Sequence, residues 1–299
     1  MRKIISAILL MSLIVLFSGC DSKNNDIEKQ SYEAKNTESD MDSNLETEIL
    51  NSTHNNTINQ SVDFSDCFNG VNGSAVFYNI EHDEYRLYNE QACEIQYSPC
   101  STFKIITTLL GLENGVISDE NSTMKYNGAL YPVESWNKNL TLKEAFQTSC
   151  VWYFKQVIDE VGQNAVQKML TDLGYGNCDI SEWDGSSLNP MPDLNGFWLE
   201  SSLMISPKEQ VKVLAKIFDG KTSASPNAIS IIKKVMLIEE KENASLFGKT
   251  GTGKNNAWFV GFFEKESKRW YFAINLQDEN HATGRNAQEI TQAIINKYF

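Results

Sequence analysis

AWFVGFFEKESKRWYFAINL, residues 257 to 276, is two apolar runs joined by the polar link Lys265 to Lys268. Each run is rich in aromatic and β-branched residues and has the length of a strand, so the segment predicts a β-hairpin. A second pair lies far upstream, where SAVFYNI (74–80) and YRLYNE (85–90) are joined across EHDE (81–84). Strands at both ends of the folded part are expected to share one antiparallel sheet, with the helix-like NAQEITQAIINKYF (286–299) closing the chain.

Between the two hairpins the signals are helical. TLKEAF places Thr141 and Glu144 at capping-box spacing. QNAVQKMLTDLG ends on Gly174, PKEQVKVLAKIFDG runs from Pro207 to Gly220, and PNAISIIKKVMLIE (226–239) adds another helix. The predicted class is therefore α+β: an antiparallel sheet built from both chain ends with a helical subdomain inserted. A cleft between sheet and helices is the expected site.

The first residues belong to a leader. Arg2 and Lys3 precede an apolar run, then Ser18-Gly19-Cys20, which resembles a bacterial lipobox. Residues 1–19 are expected to be a signal peptide, and Cys20 to carry lipid after cleavage. Residues 20–60 are rich in Asn, Ser, Thr, Asp and Glu, too polar to fold, and predict a tether. The folded domain is expected over 61–299. These features imply an exported protein, lipid-anchored to the outer face of the cell membrane and otherwise free of membrane contact.

Of the formal charge of -13, residues 61–299 carry -9, and an acidic globule argues against nucleic acid as a partner. With Cys20 lipidated, Cys67, Cys93, Cys100, Cys150 and Cys178 remain, an odd number. They are expected to be small buried thiols, and the absence of CxxC or clustered His predicts no metal.

Ser101 stands three residues before Lys104 at the start of an apolar run, PCSTFKIITTLLGL (99–112). That spacing puts both on one helix face, where a basic group can take the proton of a hydroxyl and make it a nucleophile. S-x-x-K also occurs at Ser122, Ser135 and Ser230. Pro99 and the buried-helix pattern after Lys104 single out Ser101. FGKTG (247–251) predicts a strand with Lys249 and Gly251 on one face, the glycine allowing close approach of a ligand. Gly248 to Lys254 also spells G-x-x-x-x-G-K, but Asn255 and a following strand exclude a phosphate loop.

In order, PCSTFK, SCV (149–151), YGN (175–177), FWLESSLMISPKEQ (197–210) and KTG (249–251) resemble the class D, oxacillinase-type serine β-lactamases from about Phe64 to Phe299. Val151 stands where class A enzymes and penicillin-binding proteins have Asn. The resemblance implies a serine β-lactamase/penicillin-binding-protein-like fold, a catalytic domain over 61–299, and a lipoprotein of a Gram-positive bacterium. It implies β-lactam hydrolysis through an acyl-enzyme on Ser101, with Ser101 and Thr252 N–H groups as the oxyanion hole. Ser149 would relay hydrogen bonds, and Lys249, Thr250, Gly251 and Arg285 would bind the substrate, whose carboxylate Lys249, Thr250 and Arg285 would hold. Lys104, with its pKa lowered by burial, would add CO2 and act as a carboxylated lysine held by the Trp198 indole beside Val151; no other cofactor is implied. Cys100 and Cys150 are expected to point away from the serines, and Glu182, near Ser187-Leu188-Asn189, to be a solvated loop residue. The alternatives are a β-lactam sensor that does not turn the drug over and a penicillin-sensitive peptidase. Oligomeric state and substrate spectrum stay open.

Overall fold

The computed structural model describes residues 57–299. The signal peptide, Cys20 and nearly all of the expected tether lie outside the described residues. Nine strands, β1 (Ile58–Ser61), β2 (Gly73–Asn79), β3 (Glu84–Tyr88), β4 (Thr123–Met124), β5 (Leu140–Thr141), β6 (Leu237–Lys241), β7 (Ala244–Thr252), β8 (Asn256–Lys265) and β9 (Lys268–Gln277), form the described sheets. The helices are α1 (Ser65–Phe68), α2 (Lys104–Glu113), α3 (Leu142–Gln147), α4 (Val151–Val161), α5 (Gln163–Leu173), α6 (Pro207–Phe218), α7 (Pro226–Met236) and α8 (Gly284–Tyr298).

The β8–β9 hairpin forms as expected, pairing Lys265 with Lys268 across Glu266 and Ser267. Both turn residues are left-handed, with φ of 51° and 64°, as a two-residue turn matched to strand twist requires. The opening hairpin β2–β3 joins it through β2 against β9, where Phe77 faces Phe272. The large sheet runs β1-β3-β2-β9-β8-β7-β6. One edge departs from the expected antiparallel arrangement: β1 runs parallel to β3, so Ile58, Asn59 and Gln60 belong to the sheet rather than to the tether.

Both faces of this sheet are covered, which is why WFVGFF is apolar without a break. Trp258, Val260 and Phe262 enter the larger core with the inserted helices, while Ala257, Phe259 and Phe263 enter the core under α1 and α8. Successive residues thus go to opposite cores.

The capping box at Thr141 and Glu144 forms, and Gly174 ends α5 in the left-handed conformation. Ser206 and Glu209 make a second capping box at the start of α6, a signal the sequence carried one residue before Pro207. The expected helix over 226–239 is shorter: α7 stops at Met236, and Leu237–Lys241 turns into edge strand β6. Leu237 adopts extended dihedrals, and pairing with β7 takes over the chain there.

Gly248 and Gly261 face each other across β7 and β8. A Cβ on Gly261 would lie 1.9 Å from the Phe247 carbonyl oxygen, so only glycine fits. Gly261→Ala is expected to destabilise the protein by roughly 2–4 kcal/mol. Gly220→Ala, at φ 71° with nothing within 4 Å of the added atom, should cost only about 1 kcal/mol. Denaturant unfolding of both variants checks the difference.

Candidate active site

The site begins at a tight turn. Pro99 and left-handed Cys100, with φ of 49°, lead into a 3-10 turn over Cys100–Phe103 that runs directly into α2. Residues Lys104 to Gly111 are all buried. Lys104 is therefore wholly enclosed, and its Nζ donates to Ser101 Oγ at 2.7 Å. Burial pushes its pKa down to about 8, because an ammonium loses hydration that the Phe154 ring, 5.6 Å away, does not replace.

β7 brings the second lysine. Lys249 is buried, and its Nζ donates to Ser149 Oγ at 3.0 Å and to the Thr250 carbonyl at 2.9 Å. Burial holds its pKa well below the ordinary lysine value, and the charge of Lys104 adds to the effect. Ser149 sits at the junction of α3 and α4 with φ of 57°, a conformation that non-glycine residues avoid. Trp136 anchors that junction by donating its indole N–H to the Thr148 carbonyl at 3.0 Å.

Gly251 also meets the chain itself. A Cβ there would lie 3.0 Å from the Pro99 carbonyl oxygen and 3.1 Å from the Thr102 methyl. The glycine admits the chain's own nucleophile turn against β7, which fixes Ser101 relative to Lys249.

Ser101, Ser149, Val151, Thr250, Gly251 and Thr252 line one cleft of about 600 Å³. Val133, Trp136, Leu188 and Leu199 form apolar wall around it; sequence reading missed them, since loop residues carry no periodic signal. Trp198 is buried against Phe103, and its Nε1 finds no hydrogen-bond partner among the described residues. A buried donor left unpaired is costly.

Arg285 does not line this cleft. Its Nε pairs with Glu289 at 2.8 Å and its side chain is 86% exposed, although neighbouring Gly284 donates to Thr252 Oγ1 at 2.9 Å. YGN serves the scaffold: Asn177 binds the Ser202 carbonyl and the Met204 amide, and Gly176 permits the Met204 carbonyl to approach. Glu182 is exposed and accepts from Ser201.

All five cysteines of the described residues are free, with Cys93, Cys100 and Cys150 buried and Cys67 and Cys178 half-buried. Cys100 lines the cleft, but its sulfur contacts Ser98 Oγ and Asn256 Nδ2. Burial raises the pKa of Cys100 and Cys150 to about 12, so neither is a thiolate at neutral pH.

Ser101, bonded to buried Lys104, shares one cleft with Ser149, which is bonded to Lys249 of β7. The chain belongs to the penicillin binding protein transpeptidase domain family, whose profile matches residues 31–296, and within it is class D β-lactamase-like. It is 32% identical over 251 residues to the probable beta-lactamase YbxI of Bacillus subtilis, covering 83% of this chain and 89% of the relative. It is 36% identical over 241 residues to regulatory protein BlaR1 of Staphylococcus aureus, covering 79% of this chain and 39% of the relative. The chain thus spans about two fifths of that longer protein. The C-terminal domain of the Bacillus licheniformis BlaR penicillin-receptor superposes with a TM-score of 0.73 at 32% identity, over 81% of this chain and 96% of that one.

The depressed pKa of Lys104 has a stability consequence. Folded, the amine loses its proton near pH 8; unfolded, near pH 10.4. Between these values the unfolded chain binds more protons, so stability from this group rises with pH and is absent below about 8. Lys104→Met is expected to be more stable than wild type at pH 7, by on the order of 3 kcal/mol. The advantage should shrink by pH 10 in chemical unfolding at the two pH values.

Proposed function

We propose that the protein hydrolyses β-lactam antibiotics through an acyl-enzyme on Ser101. The observation that carries this reading is the bond from fully buried Lys104 to Ser101 Oγ. In this mechanism the Oγ proton passes to Lys104 as Oγ adds to the lactam carbonyl carbon. The carbonyl oxygen gathers negative charge and is met by the backbone N–H groups of Ser101 and Thr252. The C–N bond then breaks, and the nitrogen takes a proton delivered through Ser149 from the lysine pair. Lys249 and Thr250 hold the substrate carboxylate; Arg285 joins them only by leaving Glu289.

Release of the acid needs a water to add to the acyl carbon while the bond to Ser101 Oγ breaks, with a base to take the water's proton and return one to Oγ; Lys104 is the basic group bonded to Ser101. An amine with its pKa near 8 is partly neutral at physiological pH and open to CO2. When bound, CO2 supplies Lys104 with a carbamate, an anionic oxygen base. The residues fit such a group: the unpaired Trp198 N–H would serve as a donor for one of its oxygens, and the complete burial of Lys104 disfavours the competing ammonium. Export and anchoring through Cys20 would place the domain where the drug arrives.

A second reading, a receptor that stays acylated, is favoured by the likeness to BlaR1 and the BlaR penicillin-receptor. Intact mass of the full-length protein after mixing with benzylpenicillin separates the two. A hydrolase shows a transient acyl mass with product accumulating at about 1 s⁻¹ or faster; a receptor keeps one acyl group for hours. Ser101→Ala should take up no acyl group at all.

Trp198→Phe keeps the ring and removes the N–H. It is expected to slow deacylation more than acylation, by about 10²-fold, and to recover partly with added bicarbonate. Rates equal to wild type, with neither protein responding to bicarbonate, would leave Lys104 acting as a plain amine.

A further inference from the structure

Glu200 has no part in the chemistry above, yet it holds an unusual position. Its backbone is left-handed, with φ of 50°, in a residue that has no preference for that region. Its side chain lies at the cleft wall, where Oε1 accepts a hydrogen bond from the Lys254 backbone N–H at 2.6 Å. Lys254 is in the turn that follows Thr252, the residue whose N–H is assigned to the oxyanion hole.

The other end of Glu200 is fixed as well. Its backbone N–H donates to Ser98 Oγ at 2.8 Å, and Ser98 Oγ in turn donates to the Trp198 carbonyl at 3.0 Å. Ser98 lies three residues before Ser101, and its own carbonyl accepts from Asn256 Nδ2 and from the Trp258 indole, both on β8. One residue therefore connects the nucleophile turn, the Trp198 segment and the β7–β8 turn.

Gly253 completes the arrangement. A Cβ there would sit 2.3 Å from Glu200 Oε1 and 3.2 Å from Cys100 Sγ. Gly253 has no left-handed φ to demand glycine. Its missing side chain leaves the space that the carboxylate fills.

We propose that Glu200 is a positioning residue that clamps the β7–β8 turn through the Lys254 amide and thereby aims the Thr252 N–H at the developing oxyanion. The inference rests on the acyl-enzyme reading and deepens it. A carboxylate on a backbone N–H is a strong, directional bond, and a hydroxyl or apolar side chain could not span the same gap. Oxyanion donors act through placement, so a turn freed by a fraction of an ångström loses stabilisation of the transition state while ground-state binding changes little.

The test is the acylation rate of the full-length protein, measured by rapid quench and intact mass across substrate concentrations. Glu200→Ala is expected to lower the limiting acylation rate by at least about tenfold, with half-saturation moving less than about threefold. Glu200→Gln should restore most of the rate, because its amide oxygen accepts the same N–H. Gly253→Ala keeps the carboxylate but evicts it, and should reproduce Glu200→Ala. The double variant should then be no worse than the poorer single one, since both break the same bond. Added bicarbonate should leave all these losses unchanged, separating them from effects through Trp198 and Lys104.

Glu200→Ala and Gly253→Ala acylating within about twofold of wild type, losses that multiply in the double variant, or recovery with bicarbonate would each overturn the clamp alone. A wild-type protein that never gains the acyl mass would overturn the acyl-enzyme reading and the clamp together. Gly253→Ala and Glu200→Gln keep the test open should Glu200→Ala fail to fold.

Discussion

A lysine with no access to water, hydrogen-bonded to a serine, is the constraint on which the rest of the molecule depends. Lys104 is enclosed because α2 is buried along one whole turn after another, between the sheet and the inserted helices. An ammonium in such a place is strongly disfavoured, and the group responds by giving up its proton more readily. Lys249, also buried, gives up its proton more readily for the same reason, and the charge of Lys104 adds to the effect there. Two lysines share one dry space, each bonded to one serine hydroxyl. The structure thereby holds Lys104 ready to take or give a proton near pH 8 and Lys249 shifted in the same direction, at a cost in stability that the surrounding core must offset.

That core is large because the sheet is buried on both faces, and it also supports local strain. Cys100, Ser149 and Glu200 are all left-handed without being glycine, and all three line the cleft. Each such conformation costs on the order of 1 kcal/mol. Cys100 begins the turn that presents Ser101, Ser149 carries its hydroxyl to Lys249, and Glu200 joins the Trp198 segment to the β7–β8 turn. At these three positions the strain falls where a side chain must be presented against the local preference of the backbone. Glycines mark the complementary places, where chain meets chain: Gly251 against the nucleophile turn, Gly253 against the Glu200 carboxylate, Gly284 against Thr250.

Much of this was legible in the sequence, and the remainder has identifiable reasons. The two hairpins could be read because their residues suit strands and their turns are polar. Their sharing of one sheet followed from the need to bury apolar strands. The Ser101–Lys104 pair was legible from helical spacing, and Val151 and Trp198 from the family resemblance. The parallel pairing of β1 was not, because INQS has no apolar side to announce it and all four residues stay exposed. The end of α7 at Met236 was hidden because LIE suits helix and strand alike, and only tertiary pairing with β7 decides. Arg285 shows a different limit: it lies at the start of α8, but which partner its guanidinium takes is a matter of side-chain geometry that the sequence does not carry. Glu200 was visible only as a letter in a motif, since its role depends on a turn more than fifty residues away.

The same geometry explains why relatives of this chain include both a probable β-lactamase and a penicillin-receptor. Forming the acyl bond needs a nucleophile, a proton acceptor and an oxyanion site, and any protein that captures the drug must keep all of these. Breaking the bond needs a base that still functions after Ser101 has been esterified and can no longer bond to Lys104 as a free hydroxyl. The requirement that separates capture from turnover therefore falls on what stabilises Lys104 in its reactive form once its serine partner is taken. In this chain the candidate is the buried indole N–H of Trp198, a donor with no acceptor among the described residues. An unpaired donor is a standing cost to the fold, one that another aromatic ring of similar size would not carry. Trp198 packs on Phe103, the residue next to Lys104, so any acceptor it takes must reach into the same buried region.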